Sequence, residues 1–150
     1  MSDDKVAYGA DLSGAGLAVA VVRARFNAPV VEAMRDACVT ELERLGVVRV
    51  HEVAVPGALE IPLALKTLAP HFDCMVAIAC VIRGETYHFE VVCNESCRGV
   101  TNVQLATGVP VANAILTVEN ETQARERIGK GAEAARVAVE MACMLRSARA

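Results

Sequence analysis

In the stretch VIRGETYHFE, which begins at Val81, an apolar run crosses an arginine and a glycine and reaches His88 before hydrophobic spacing resumes. A neutral imidazole can take a proton from an amine or hydroxyl, and its charged form returns one, with an intrinsic pKa near neutrality. A half-exposed helix histidine is the plain alternative. Just before it, RGET would set backbone N–H groups and the Thr86 hydroxyl at a helix start, which suits a phosphate provided the Glu85 carboxylate points away. Phe26 ends an earlier apolar segment and could offer a ring face to a planar ligand or make an ordinary hydrophobic contact. Glu60 follows a proline-glycine turn, where it could accept hydrogen bonds from ligand hydroxyls or cap the next helix. Arg127 and Lys130 add positive charge around a helix break, facing either a ligand or solvent. Together these residues suit one aromatic, hydroxylated molecule and one phosphorylated molecule.

Other chemistries find less support. Neither G-x-x-x-x-G-K-[ST] nor G-x-G-x-x-G after the first strand occurs, which disfavours the usual nucleotide loops. His51 flanks a strand and His71 lies in the loop LAPHFD, so both read as ordinary structural positions. A zinc site from His88, Cys93 and Cys97 is disfavoured because both cysteines fall among apolar positions and no C-x-x-C pair supports them.

These residues need elements to place them. Leu17 to Val22 reads as a first buried strand. Asn27 is positioned to cap the following helix, Pro29 suits its first turn, Val30, Met34, Cys38, Leu42 and Leu45 mark its buried stripe, and Gly46 stops it. A second strand, Val50 to Val55, ends in VPGALEIP and leads to a short helix through LALKTLA. The almost wholly apolar run Cys74 to Ile82 has no polar face and reads as a central parallel strand covered on both sides. A helix from about Thr86 to Ala106, with Phe89, Cys93, Ser96, Val100 and Val103 near one stripe, ends at Gly108. The fourth strand, PVANAILTV, is followed by Asn120, whose spacing to Gln123 resembles a capping box. Gly129 and Gly131 then interrupt a short helix, and Ala134, Ala138, Met141 and Leu145 give a final packing stripe.

Strand followed by helix throughout predicts a three-layer α/β/α sandwich on a flavodoxin-like four-stranded parallel sheet with right-handed crossovers. In such sheets ligands gather beyond the C-terminal strand ends, where strand order reverses. The strand ends fall at RFN, VPGALE, VIRGETYH and LTVENE, so Phe26, Gly57 to Glu60, Arg83 to His88 and Asn120 are expected as neighbours.

At 150 residues the chain suits one compact domain, here residues 16–150 behind an N-terminal arm of residues 1–15. The apolar share of 54% and a formal charge of -3 point away from disorder and from a basic nucleic-acid surface. The opening residues MSDDKVAYGA carry acids rather than a basic n-region, and no apolar run is long enough to span a bilayer, so a soluble cytoplasmic protein without membrane partners is expected. The six cysteines read as buried thiols, not disulfides. Tryptophan is absent and aromatics are few, so small residues must fill much of the core, leaving apolar surface for copies of the chain.

As an ordered set, RFN at Arg25, VPGALEIP at Val55, VIRGETYHFE at Val81, PVANAILT at Pro110 and KGAEAA at Lys130 resemble the 6,7-dimethyl-8-ribityllumazine synthase family, over about Gly16 to Leu145. The resemblance implies condensation of 5-amino-6-(D-ribitylamino)uracil with 3,4-dihydroxy-2-butanone 4-phosphate, without cofactor or metal. It implies that Phe26 stacks on the pyrimidine, Ala58 and Glu60 receive the ribityl chain, and the backbone of Val81 and Ile82 meets the uracil edge. Asn27, Gly57, Leu59 and Cys80 belong to the same substrate-binding segments. Glu85 and Thr86 take the phosphate-loop positions, His88 transfers protons and Arg127 grips phosphate. Arg127, Asn113 and Lys130 would come from an adjacent subunit of a homopentamer, twelve of which could form a 60-subunit shell. The segment KVAYG would add a brief strand to a neighbour's sheet. The chain departs from the family at Asn113, often aromatic there, at Glu85, often small, and in a shorter connector before Lys130. A noncatalytic flavin- or lumazine-binding oligomer on the same scaffold is the alternative.

Overall fold

The computed structural model describes residues 12–150, so the expected arm strand at KVAYG lies outside the described residues. The chain runs β1 (Ala18–Ala24), α1 (Ala28–Arg44), β2 (Arg49–Val55), α2 (Ile61–Leu68), β3 (Cys74–Ile82), α3 (His88–Thr107), β4 (Val111–Val118), α4 (Glu121–Arg125) and α5 (Lys130–Ala148). Single 3-10 turns precede and follow α2. All pairings are parallel in the order β2-β1-β3-β4, so the central strands are β1 and β3. The result is the flavodoxin-like α/β/α sandwich, with α1 and α5 over one face and α2 and α3 over the other. Right-handed crossovers explain that division, because moving from β1 to β2 and then back across β1 to β3 reverses direction and changes face.

Uniform apolarity explains β3, whose residues Cys74 to Cys80 are all buried. β1 runs two residues beyond the expected Val22 because Arg23 finds carboxylates at Glu32 (2.7 Å) and Glu52 (3.6 Å) and needs no turn to reach water. At the opposite end of the strands, Asp73 receives the Ala18 N–H on its carboxylate at 2.7 Å and donates its own N–H to the Ala18 carbonyl at 2.9 Å. These two bonds fix β1 and β3 in register at their N-terminal ends.

α1 buries the expected stripe and stops at Gly46, whose φ of 94° lies where glycine is favoured. Gly131 is not a break. It lies in the first turn of α5, and a Cβ there would lie 2.1 Å from the Met34 carbonyl oxygen, so glycine is what allows α5 to close on α1. The buried stripe of α5 runs through Ala134, Ala135, Ala138, Val139 and Ala142, rotated from the expected one, and Met141 and Leu145 are only half-buried. The two helices are also tied through Glu41, which accepts from Arg44 and Arg136 at 2.5 Å each. These partners, Arg44 foremost, hold its carboxyl down at about 2.

Candidate active site

A cavity of about 410 Å³ opens beyond the C-terminal ends of β1 and β3, where strand order reverses. Four chain segments build it. The exit of β1 gives Ala24 and Phe26, the turn after β2 gives Pro56 to Glu60, the end of β3 gives Ala79 to Ile82, and the loop into α3 gives Gly84, Thr86 and His88, with Phe89 and Val92 behind.

Phe26 is 71% exposed, which leaves its ring open to a planar molecule at the mouth. Its direction is set by Asn27, which occupies the left-handed region at φ 59° and is the only described non-glycine residue with positive φ. Asparagine tolerates that region, and the following Pro29 suits a first helical turn. Asn27 does not cap α1 with its side chain, contrary to expectation. Its amide instead donates to the Cys80 carbonyl at 2.7 Å and joins the exits of the two central strands. Burial pushes the Cys80 thiol up to about 11, so it stays protonated at neutral pH and serves as cavity wall, not as nucleophile.

Glu60 closes the 3-10 turn at Ala58–Glu60 and stands at the N-cap of α2 without making a side-chain cap bond. Its exposed carboxylate lies over Gly57, where an added Cβ would be 3.5 Å from Oε1, and is free to accept hydroxyl donors. Leu59 and Ala58 supply the apolar lining beside it.

The loop at 83–87 is exposed, and the backbone N–H groups of Gly84 and Glu85 enter no hydrogen bond within the described chain. Thr86 Oγ1 receives the His88 N–H at a long 3.4 Å. Free donors at the start of the 20-residue helix α3 form a place for an anion. Glu85 stands on the loop outside the cavity lining. Arg83 is fastened elsewhere, to Glu119 at 2.5 Å and to Glu90 at 2.7 Å, and it holds the Glu90 carboxyl below its ordinary range.

Arg127 and Lys130 line a second cavity of about 490 Å³, between β4, the outer side of α3 and the connector into α5. The cavities share only Phe89. Arg127 donates to the Gln123 carbonyl at 2.9 Å, and Lys130 stands 3.9 Å from Glu133. Asn113 lines neither; it is exposed on the edge strand β4 and accepts the Ile115 N–H at 2.8 Å. One chain therefore brings Phe26, Gly57 to Glu60, Cys80 to Ile82, Thr86 and His88 together, and leaves Asn113, Arg127 and Lys130 apart from them. Asn120, expected beside His88, is absent from both linings; it caps α4, as its spacing to Gln123 predicts, accepting the Gln123 N–H at 2.9 Å. Phe89 and Val92 were not singled out as ligand residues from sequence; the signal for Val92 was its place one helical turn after His88.

Among the described residues no group of three His, Cys, Asp or Glu side chains could hold a metal ion, and no helix is long and apolar enough to cross a membrane.

A family model described as 6,7-dimethyl-8-ribityllumazine synthase matches residues 16–146. A protein of that name from Leptothrix cholodnii is 57% identical over 141 residues, covering 91% of this chain and 92% of its own length. One from Chromobacterium violaceum is 55% identical over 144 residues, 93% of each chain. One from Paraburkholderia phytofirmans is 57% identical over 140 residues, 90% of this chain and 83% of its own.

Proposed function

The chain belongs to the 6,7-dimethyl-8-ribityllumazine synthase family, and from that premise we propose that it condenses 5-amino-6-(D-ribitylamino)uracil with 3,4-dihydroxy-2-butanone 4-phosphate. The observation that carries the reading is the convergence of an open aromatic face, a free carboxylate, a strand-end backbone and an anion-suited helix start on one cavity. The pyrimidine stacks on Phe26 with its edge toward the backbone of Val81 and Ile82. Its ribityl hydroxyls reach the turn at Gly57 to Glu60, and the phosphate takes the loop at Glu85 and Thr86.

The substrate's own amine attacks the ketone, and water leaves as the Schiff base forms. Phosphate then departs, the carbon skeleton tautomerises, and the ribitylamino nitrogen closes the second ring with loss of water. His88 takes and returns protons during these steps. No protein nucleophile is required, so holding two small molecules in register supplies much of the acceleration.

The separation of Arg127, Lys130 and Asn113 from His88 supports a site shared between subunits, in which a neighbour's second cavity closes over the first. A homopentamer is the proposed unit, with twelve pentamers able to make a 60-subunit shell. Residues 16–150 act as a single domain behind an arm of residues 1–15, in the cytoplasm, needing no cofactor.

Incubation of the purified protein with both precursors is expected to give lumazine and inorganic phosphate in step, from particles that light scattering sizes as pentamers or larger. Binding of the pyrimidine without turnover would favour the noncatalytic carrier, and full activity in a stable monomer would refute the shared site.

A further inference from the structure

We propose that Arg83 is a positioning residue that seats the first turn of α3, and with it His88, on the ends of β3 and β4; this rests on the proton-transfer role given to His88 above. Arg83 directly follows β3, and its N–H donates to the Val118 carbonyl at 2.9 Å, carrying the β3–β4 ladder one residue further. Its guanidinium reaches two elements at once. Nε meets Glu119 at 2.5 Å just past β4, and Nη1 meets Glu90 at 2.7 Å in the first turn of α3. The same group lies over the Phe89 ring, 4.4 Å from its centroid.

Glu90 and Phe89 immediately follow His88, the first residue of α3. No side chain caps that end of the helix, and the only bond to the His88 backbone from the loop before it is the 3.4 Å contact with Thr86. Beyond the Val91 N–H bond to the Tyr87 carbonyl and the packing of Val92, the side-chain hold on this turn comes from behind, through Arg83.

Stability is a poor account of the arrangement. Arg83 is 43% exposed, and exposed ion pairs contribute little one by one. A planar fork bonded to two carboxylates and stacked on a ring does fix an orientation. Arg83 also lines the second cavity with Arg127, but its guanidinium is already engaged by two carboxylates, which makes substrate binding a poor account too.

The test uses the full chain with particle size matched to the parent. Arg83→Met should lower turnover about tenfold or more, because small displacements of a reacting group are costly. The Kd for the ribitylaminouracil should stay within about twofold, since the groups assigned to that ligand, Phe26, Glu60 and the backbone of Val81 and Ile82, are not partners of the Arg83 guanidinium. Arg83→Lys, which keeps one ion pair, should fall between. In the His88→Ala background the Arg83→Met change should cost nothing further. In ligand-free protein the NMR ring signals of the three histidines report directly: Arg83→Met should move that of His88 and leave those of His51 and His71 in place. An unmoved His88 signal, or the same turnover loss with and without His88, would overturn the proposal. If the parent makes no lumazine, the functional reading fails, and the His88 signal alone decides whether Arg83 holds the turn.

Discussion

On the α1/α5 side of the sheet the helices meet backbone to backbone at Gly131 and Met34 and are bound by the buried Glu41 carboxylate. On the α2/α3 side the corresponding close approach, Gly99 to Pro62, is against a proline ring, and Leu63, Val91 and Leu105 remain exposed. One sheet thus has a face closed by backbone contact within the chain and a face with apolar surface left over along α2 and α3. The contrast puts the tightest helix contact on one side of the sheet and the candidate site on the other, and substitutions on each side can break that division.

Gly131→Ala should have the largest effect. Its methyl group would meet the Met34 carbonyl at 2.1 Å, and backbone cannot swing aside as a side chain does. A loss of about 3 kcal/mol is expected in urea denaturation at matched protein concentration. A loss under about 1 kcal/mol would mean that α5 shifts freely and the face is not closed.

His88→Ala should slow turnover about 10²-fold, equivalent to about 2.7 kcal/mol of barrier, without lowering stability. Arg127→Ala should instead weaken butanone-phosphate binding. Single-turnover rates and phosphate-substrate titration separate the two. A His88→Ala protein with parental single-turnover rates would remove the proton-transfer assignment.

Glu41→Gln should cost about 1 to 2 kcal/mol at neutral pH, because Arg44 and Arg136 lose their charged partner. Since the folded carboxyl lies below its unfolded value, its contribution is complete above about 4.5 and fades as pH falls toward about 2. The parent should lose its advantage over Glu41→Gln across that window. A gap that did not change with pH would show that charge is not its source.

Gly99→Ala should have the smallest effect. Its methyl group would lie 2.4 Å from the Pro62 ring and not against opposing backbone, while alanine favours the helix by about 1 kcal/mol over glycine. A net change within about 1 kcal/mol is expected. A penalty equal to that of Gly131→Ala would erase the contrast between the faces.

Much of this was legible from residue types. β3 keeps its expected bounds because an uninterrupted apolar run fits only a strand covered twice. The α1 stripe was readable for the same reason, since burial enforces its period. Two features depend on contacts between segments distant in the chain. Asn27 carries the residue type of a cap, yet a carbonyl at the end of β3 competes for its amide, and the sequence separates the two by 53 positions. Gly131 looks like punctuation until the opposing backbone is seen. The cap at Asn120 was readable from its spacing to Gln123, but that this cap takes the side chain away from the cavity was not. The cavity could be inferred as a meeting of strand ends, whereas the spread of Arg127, Lys130 and Asn113 away from it depends on how α4 and α5 leave β4.

The placement of β1 between β2 and β3 has a consequence for how the chain acquires its structure. Of the three strand pairings, β1 with β3 joins the segments farthest apart in sequence, and it is also the one that frames the cavity. Loop-closure entropy penalises that contact most, so β1, α1 and β2 can associate while β3 is still being synthesised, whereas the β1–β3 edge must wait. Until it closes, an apolar edge of β1 lies open to any extended chain nearby, so the delay before β3 joins is an interval of exposure to aggregation.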